Sequence, residues 1–452
     1  MPWKLVSFAA LVALSLTLVA ACGGSDKATS PGDAGSDSAG GGQDAPMGTV
    51  DASDAAAAGG DVGYPAPHYA MPQVVNLAGG QVLATPKVYL VFYPSYSYET
   101  QLETMAKALG ASTYWAAVAK DYGVGPLALA GTIELTGETP PAMVADADIQ
   151  TYLGGKISSG AFGPPDPSAV YTIFYPTTTT ITLPGGILGG NATSCTQFGG
   201  YHSDFSLALT DGGTPQNFAY AVIPTCTSLQ GMTEQDGVTS AVSHEWIEAA
   251  TDPYPSTGMG IDSAYAQVDY DHFIWELLGG GGEVGDMCVG AQGPFYVPTD
   301  VGFMVQRTWS NAFAKAGHDP CVPNAATGPY FQSAPMLTEN ITFSSPLLGG
   351  TLQTQGVTIP VGQSKAIEVD LFSDGPTTGP WTVDTVDAIA VYLGQPPTLS
   401  FKWDQTKGQN GDKLHLTVTV TAAQAAFSGG HPFIITSTLG SRKAEWAGFI
   451  VE

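Results

Sequence analysis

Three runs of β-branched and aromatic residues, Lys87 to Tyr93 (KVYLVFY), Ala169 to Tyr175 (AVYTIFY) and Phe218 to Ile223 (FAYAVI), constrain the fold more than any other feature of the chain. Their composition reads as strands buried in a core. Tyr98 to Asp121 and Asp146 to Gly154 have helical composition, and a third helix is predicted over Gln235 to Thr251, where Asp252-Pro253 stops it. Strands interleaved with helices predict an α/β or α+β domain, here from Tyr64 to Asn324. The connections Thr177 to Gly200 and Tyr254 to Gly282 are long and rich in Gly, Pro and Thr, the kind of segment that carries binding residues on a rigid scaffold.

From about Ala325 to Glu452 the pattern changes to alternating strands. They are predicted over Gly356 to Ile359, Lys365 to Phe372, Leu399 to Trp403, Lys413 to Thr421, Pro432 to Thr436 and Ala444 to Val451. Turn residues such as Ser373-Asp374-Gly375 and Asn410-Gly411 separate them, and the whole reads as an all-β sandwich of immunoglobulin-like type. No chemistry is visible in it, so a spacer or ligand-binding role is expected.

The front of the chain reads as an export signal. Lys4 precedes an apolar run, Leu5 to Ala21, that ends in small residues. Val19-Ala20-Ala21-Cys22 resembles the lipobox of bacterial lipoproteins, which implies cleavage before Cys22, lipid on its thiol, and anchoring to a membrane. Each buried methylene of such a lipid contributes about 0.8 kcal/mol. From Gly23 to Gly63 the chain is Gly, Ala, Ser and Asp, with seven aspartates against the single Lys27. Such a segment cannot bury enough apolar surface to fold, and it reads as a disordered acidic tether. The expected location is therefore the outer membrane or the cell surface.

The chain carries 40 acidic against 14 basic residues, a net charge of −26, and no basic stretch after the signal. That argues against nucleic acid as a partner. With Cys22 set aside, Cys195, Cys226, Cys288 and Cys321 remain, an even number that suggests two disulfides in an oxidising compartment. Spacing alone does not separate the three connectivities. Pairing within one stretch of the domain favours Cys195 with Cys226 and Cys288 with Cys321.

The sharpest chemical feature is His244-Glu245-Trp246-Ile247-Glu248, inside the third predicted helix. Positions i and i+4 share a helix face, so His244 and Glu248 can reach one ion while Glu245 sits beside them. The zinc-peptidase pattern H-E-x-x-H uses the same geometry, with the glutamate as general base. Such a string arises by chance in roughly a few per cent of chains of this length. Its place on an apolar helix, upstream of a second acidic cluster at Glu283-Val284-Gly285-Asp286, is what weighs against chance. The plainer reading packs His244 against the helix and leaves Glu245 and Glu248 in water.

The run Ser243 to Pro253 (SHEWIEAATDP), with Glu283 to Cys288 (EVGDMC) and Val305 to Asn311 (VQRTWSN), resembles the phosphate-induced, EXORDIUM-like proteins of plants and their secreted bacterial relatives. Leu83 to Tyr93 and Gly199-Gly200-Tyr201-His202-Ser203 resemble the same family's first strand and Gly-Tyr-His segment. The similarity spans most of Leu83 to Cys321 and leaves out the tether and the sandwich. It implies an extracellular protein with a zincin-like helix, in which Asp286 is the third metal ligand. The stretch from Tyr254 to Gly282 departs from the family by its length and its closing glycines.

The expected function is then a metal-dependent, peptidase-like hydrolase acting on peptide or cell-wall polymer. His244, Glu248 and Asp286 hold one divalent ion and Glu245 is the general base. Zinc is the expected metal; two carboxylate ligands make the site harder and bring manganese and calcium into contention. His202, Tyr201, Glu283 and Asp252 are expected around the ion or the substrate. The rival reading is a non-catalytic surface or wall-associated binding protein. Asp262, Asp269 and Asp271 are close enough for a calcium loop, but their spacing fits no EF-hand and a solvated loop is expected. His272 is an alternative ligand. His68, His318, His415 and His431 are scattered and read as ordinary surface or packing residues. No G-x-S-x-G, P-loop or dinucleotide fingerprint occurs.

Overall fold

The computed structural model describes residues 63–452 apart from 78, 185–190, 257–262, 280, 325–327, 346–349 and 426. The signal, Cys22, the tether up to residue 62 and Asp262 lie outside the described residues. The fold is mixed α/β, with most of its strands gathered in several sheets.

The three apolar runs become neighbouring strands of one five-stranded sheet. In chain order its strands are β1 (Lys87–Phe92), β2 (Ala128–Glu134), β3 (Ala169–Tyr175), β4 (Tyr201–Leu207) and β5 (Gln216–Pro224). In space the order is β2-β1-β3-β5-β4. Neighbours run parallel except at the edge, where β4 is antiparallel to β5. The helices are α1 (Glu99–Leu109), α2 (Thr113–Ala119), α3 (Asp146–Ser158) and α4 (Glu234–Thr251). Side chains alternate across a strand, so one sheet serves two cores. Leu90, Phe92, Phe174, Ala221 and Ile223 join residues of α1, α2 and α4 on one face. Val91, Ile173, Tyr220 and Val222 join Ile149, Leu153 and Ile157 of α3 on the other.

The helix expected over Tyr98 to Asp121 is two helices. The side chain of Ser112 accepts from the N–H of Trp115 and starts α2 afresh. At Gly110, in the break, an added Cβ would stand 1.9 Å from the Leu127 carbonyl oxygen. The two long connections also contain structure. Thr180–Pro184 lies between Met143–Ala145 and Asn191–Thr193 in a small sheet, parallel to the first and antiparallel to the second. The segment before Gly282 forms a strand pair, Gln267–Val268 with Val74–Val75, and helix α5 (Phe273–Gly279). Burial of Ile274, Leu277 and Leu278 against Ile341, Phe343 and Phe449 of the second part fixes α5. That partner is remote in sequence, which is why composition near α5 reads as loop.

The second part packs two sheets face to face. Its strands are β6 (Phe331–Pro335), β7 (Glu339–Ser345), β8 (Gly350–Thr358), β9 (Ser364–Ser373), β10 (Trp381–Asp387), β11 (Leu399–Trp403), β12 (Lys413–Val420), β13 (Gly430–Leu439) and β14 (Arg442–Val451). One sheet has the order β6-β9-β12-β11, all antiparallel. The other runs β7-β8-β14-β13-β10, with Lys407–Gly408 at its edge and one parallel pair, β8 with β14. β6, β7 and β10 escape the sequence reading; β10 alternates buried and exposed residues from Trp381 to Thr385, a pattern masked by the Gly and Pro residues before it.

The apolar core does not stop at the junction of the two parts. One contiguous cluster runs from Ala66 through Trp246 and Trp309 to Trp446 and Ile450. The segment expected to open the first domain also touches the sandwich: Ala66 N–H donates to Asn410, Tyr69 Oη donates to the Leu337 carbonyl, and His68 stacks on Phe372 at 3.7 Å. Two disulfides join Cys195 to Cys226 and Cys288 to Cys321, as expected, and they fit an oxidising compartment. Among the described residues no helix is long and apolar enough to cross a membrane.

Candidate metal centre

The chemistry sits on α4. Thr233 caps its start, accepting from Asp236 N–H, and Glu234 and Asp236 in the first turn complement the helix dipole. One face is anchored to the sheet by Trp246, fully buried, whose indole N–H donates to Thr172 Oγ1 on β3 at 2.8 Å. Another face presents His244, Glu245 and Glu248.

Glu248 is held by main chain. Its Oε1 accepts from Gly285 N–H at 2.9 Å and Asp286 N–H at 3.0 Å, which leaves Oε2, 2.9 Å from His244 Nε2. Asp286 opens the short helix α6 (Asp286–Val289), with Oδ1 3.7 Å from the same imidazole nitrogen. Its Oδ2 is buried with no hydrogen-bond partner among the described residues. Donor atoms of His244, Glu248 and Asp286 all lie within 4.8 Å of one another. Ligands roughly 2.0 to 2.2 Å from a zinc ion stand about 3.3 to 3.6 Å apart in a tetrahedron; the separations of 2.9 and 3.7 Å from His244 Nε2 bracket that range, so the group could hold a single small cation.

Gln306 completes the arrangement, and sequence reasoning gave it no role. Its Nε2 donates to the Gly285 carbonyl at 2.7 Å, which turns Oε1 toward His244 Nδ1 at 3.1 Å. The amide oxygen can only accept, so Nδ1 carries hydrogen and Nε2 faces the carboxylates. Gln306 stands 62 residues from His244, too far for any spacing signal. Glycine is required where main chain meets these groups. An added Cβ at Gly285 would lie 2.6 Å from His244 Nδ1, at Gly281 1.7 Å from Asp286 Oδ2, and at Gly200 2.9 Å from Glu245 Oε1. The Cys288–Cys321 disulfide and the hydrogen bond from Trp309 N–H to the Val284 carbonyl hold this segment against the helix.

Electrostatics favour a cation. Burial works to lower the His244 pKa, but the charges of Glu248 and Glu245 outweigh it and hold it well above its usual value. Burial works to raise Glu248, and the His244 charge more than offsets it. Burial, reinforced by the Glu248 charge, pushes Asp286 and Glu283 well above the carboxylate range. Burial lifts Asp252 to about 6 and Glu276, a half-buried acid on α5, to about 8. The ion-pair partners of Glu245, Glu248, Glu283 and Asp286 among the described residues are histidines.

The other expected residues divide. His202, on β4, enters the cluster: Nδ1 stands 3.5 Å from Glu245 Oε2 and 3.8 Å from Glu248 Oε2, and Nε2 stands 3.4 Å from Glu283 Oε1. Tyr201, next to it on the strand, points to the opposite face, where its hydroxyl donates to Asp146 at 2.6 Å. Strand alternation thus removes it from the cluster. His272 is also removed, with Nδ1 2.8 Å from Asp269 and Nε2 2.8 Å from the Ala70 carbonyl. Asp269 spends its other oxygen on Gln73 N–H, so it is not a free calcium ligand. The buried cluster opens at His244 into a cleft of about 1670 Å³ whose walls include Glu276 on α5 and Tyr392, Thr436 and Lys443 of the sandwich.

No protein-family model matches this chain. The search of curated proteins finds no relative. Among solved structures, domains 4 and 5 of the S-layer protein SbsC overlap 33% of this chain and 84% of that one, at 14% identity and a TM-score of 0.16. The titin M3 domain overlaps 21% of this chain and 85% of its own length, at 15% identity and a TM-score of 0.14. Overlaps this slight carry no functional meaning, and the β-sandwich stands on its own strand pairing.

Proposed function

We propose that the chain is an exported, lipid-anchored, metal-dependent hydrolase of peptidase-like type. The observation that carries this reading is that donor atoms of His244, Glu248 and Asp286 lie within 4.8 Å of one another, with His244 oriented by Gln306 and Glu248 by two main-chain N–H groups. A zincin-like helix and a kinship with EXORDIUM-like proteins belong to the same proposal, since the residues that suggest them are the ones that converge. A divalent ion held here, with zinc the first candidate and manganese or calcium next, would polarise a carbonyl and acidify water.

The residues of the chain supply the rest. Glu245, with Oε1 3.9 Å from His244 Nε2, is the residue this reading makes the general base. Gln306 fixes the imidazole, and the main-chain N–H groups of Gly285 and Asp286 fix Glu248. The cleft exceeds the roughly 300 to 1,000 Å³ of small-molecule pockets, which favours a segment of polymer, peptide or cell wall, as substrate.

Metal analysis of the purified full chain beside His244→Ala tests the site, with the ion expected in the parent and lost in the variant. Equal and negligible metal in both removes it. Glu245→Gln is expected to keep the ion and abolish chelator-sensitive cleavage of casein or a peptide library. Metal retained with no cleavage by the parent would instead support the surface-binding reading.

A further inference from the structure

Behind the first cluster lies a second one that the hydrolase reading leaves unused. His202 on β4, Asp252 at the C-terminus of α4 and Glu283 ahead of α6 place one donor atom each within 4.8 Å of one another. All three are buried, and Asp252 is 0% exposed. His202 Nε2 lies 3.4 Å from Glu283 Oε1 and 3.1 Å from the main-chain oxygen of Asp252. Asp252 Oδ1 accepts from Ala264 N–H at 2.7 Å, while Oδ2 has no hydrogen-bond partner among the described residues. A carboxylate oxygen left buried and unpartnered is costly, and a second carboxylate beside it adds to the cost. A cation at the common point removes both penalties.

We propose that His202, Asp252 and Glu283 form a second divalent-cation site, separate from the one on His244, Glu248 and Asp286. One imidazole nitrogen and carboxylate oxygens suit zinc or manganese. The orientation of His202 supports this assignment. With Nε2 toward Asp252 and Glu283, Nδ1 turns to Glu245 and Glu248, and a metal-bound histidine characteristically donates its other ring N–H to a carboxylate. The ion would tie three separate elements, the edge strand β4, the end of α4 and the segment before α6, and would orient Glu245 through the His202 N–H. The inference goes beyond the hydrolase reading and does not depend on it.

The full chain, stripped by chelator and dialysed against micromolar zinc or manganese at physiological salt, tests the proposal by counting tightly held ions. The parent is expected to hold two, Asp252→Asn one, His244→Ala one, and the double variant none. A parent that holds one ion and keeps it in Asp252→Asn overturns the second site and leaves the first standing. A parent that holds one ion, keeps it in His244→Ala and loses it in Asp252→Asn would do the reverse. Should Asp252→Asn not fold, judged by circular dichroism, Glu283→Gln is read in the same way: an unchanged ion count overturns the proposal.

Discussion

Gln306 shows how much of this centre depends on a residue that orients its neighbours. Its nitrogen is committed to the Gly285 carbonyl, so the atom that faces His244 Nδ1 is its oxygen, which can only accept. Removing it frees the imidazole to rotate and to adopt the other tautomer, without opening the core. Gln306→Ala is therefore expected to weaken metal affinity about 10- to 100-fold while the thermal midpoint of the metal-free chain stays within a few degrees. Metal titration and metal-free melting, measured side by side, separate the two effects. A large fall in metal-free stability with unchanged affinity would make Gln306 a packing residue only.

Helix α4 is the element on which recognition and stability meet, and its legibility was uneven. Its C-terminal end was readable because Asp252-Pro253 is a local signal, and its ligand face because i and i+4 spacing is local as well. The runs that became β1, β3 and β5 were readable from composition. What surrounds α4 was not: β4 lacks an apolar run because its inward residues include His202 and Asp204, and α5 acquires its apolar partner from strands about seventy residues away or more. Gln306 and the glycines that admit Asp286 and His244 act through contacts distant in sequence. Between α4 and the sheet the decisive contact is the Trp246 indole on Thr172. Thr172→Val keeps the volume but leaves that buried N–H without its acceptor, at a cost of about 1 to 3 kcal/mol. In urea the midpoint is expected to fall with no change in slope; an unchanged midpoint would mean that packing alone seats the helix.

At the scale of the whole molecule, the two parts differ in architecture yet share a core. Trp275 meets Trp446 edge-on at 5.2 Å, Tyr69 lies 6.3 Å from Trp446, and α5 rests on β8 and β14, its Ile274, Leu277 and Leu278 sharing an apolar cluster with the sandwich. The sandwich also supplies part of the cleft wall in front of His244. A spacer hung on a flexible link would melt on its own; parts that bury one another's aromatic residues must lose that burial together. Fully burying one large apolar side chain is worth about 1.5 to 3 kcal/mol, so several of them at a junction outweigh much of the net stability of a single domain. Differential scanning calorimetry of the full chain is therefore expected to show one transition whose van't Hoff and calorimetric enthalpies agree. Cutting after Asn324 would uncover α5 and is expected to give an aggregating fragment. Two resolved transitions, or a soluble, cooperatively melting fragment of residues 63–324, would show instead that the sandwich is an appendage and that the cleft can form without it.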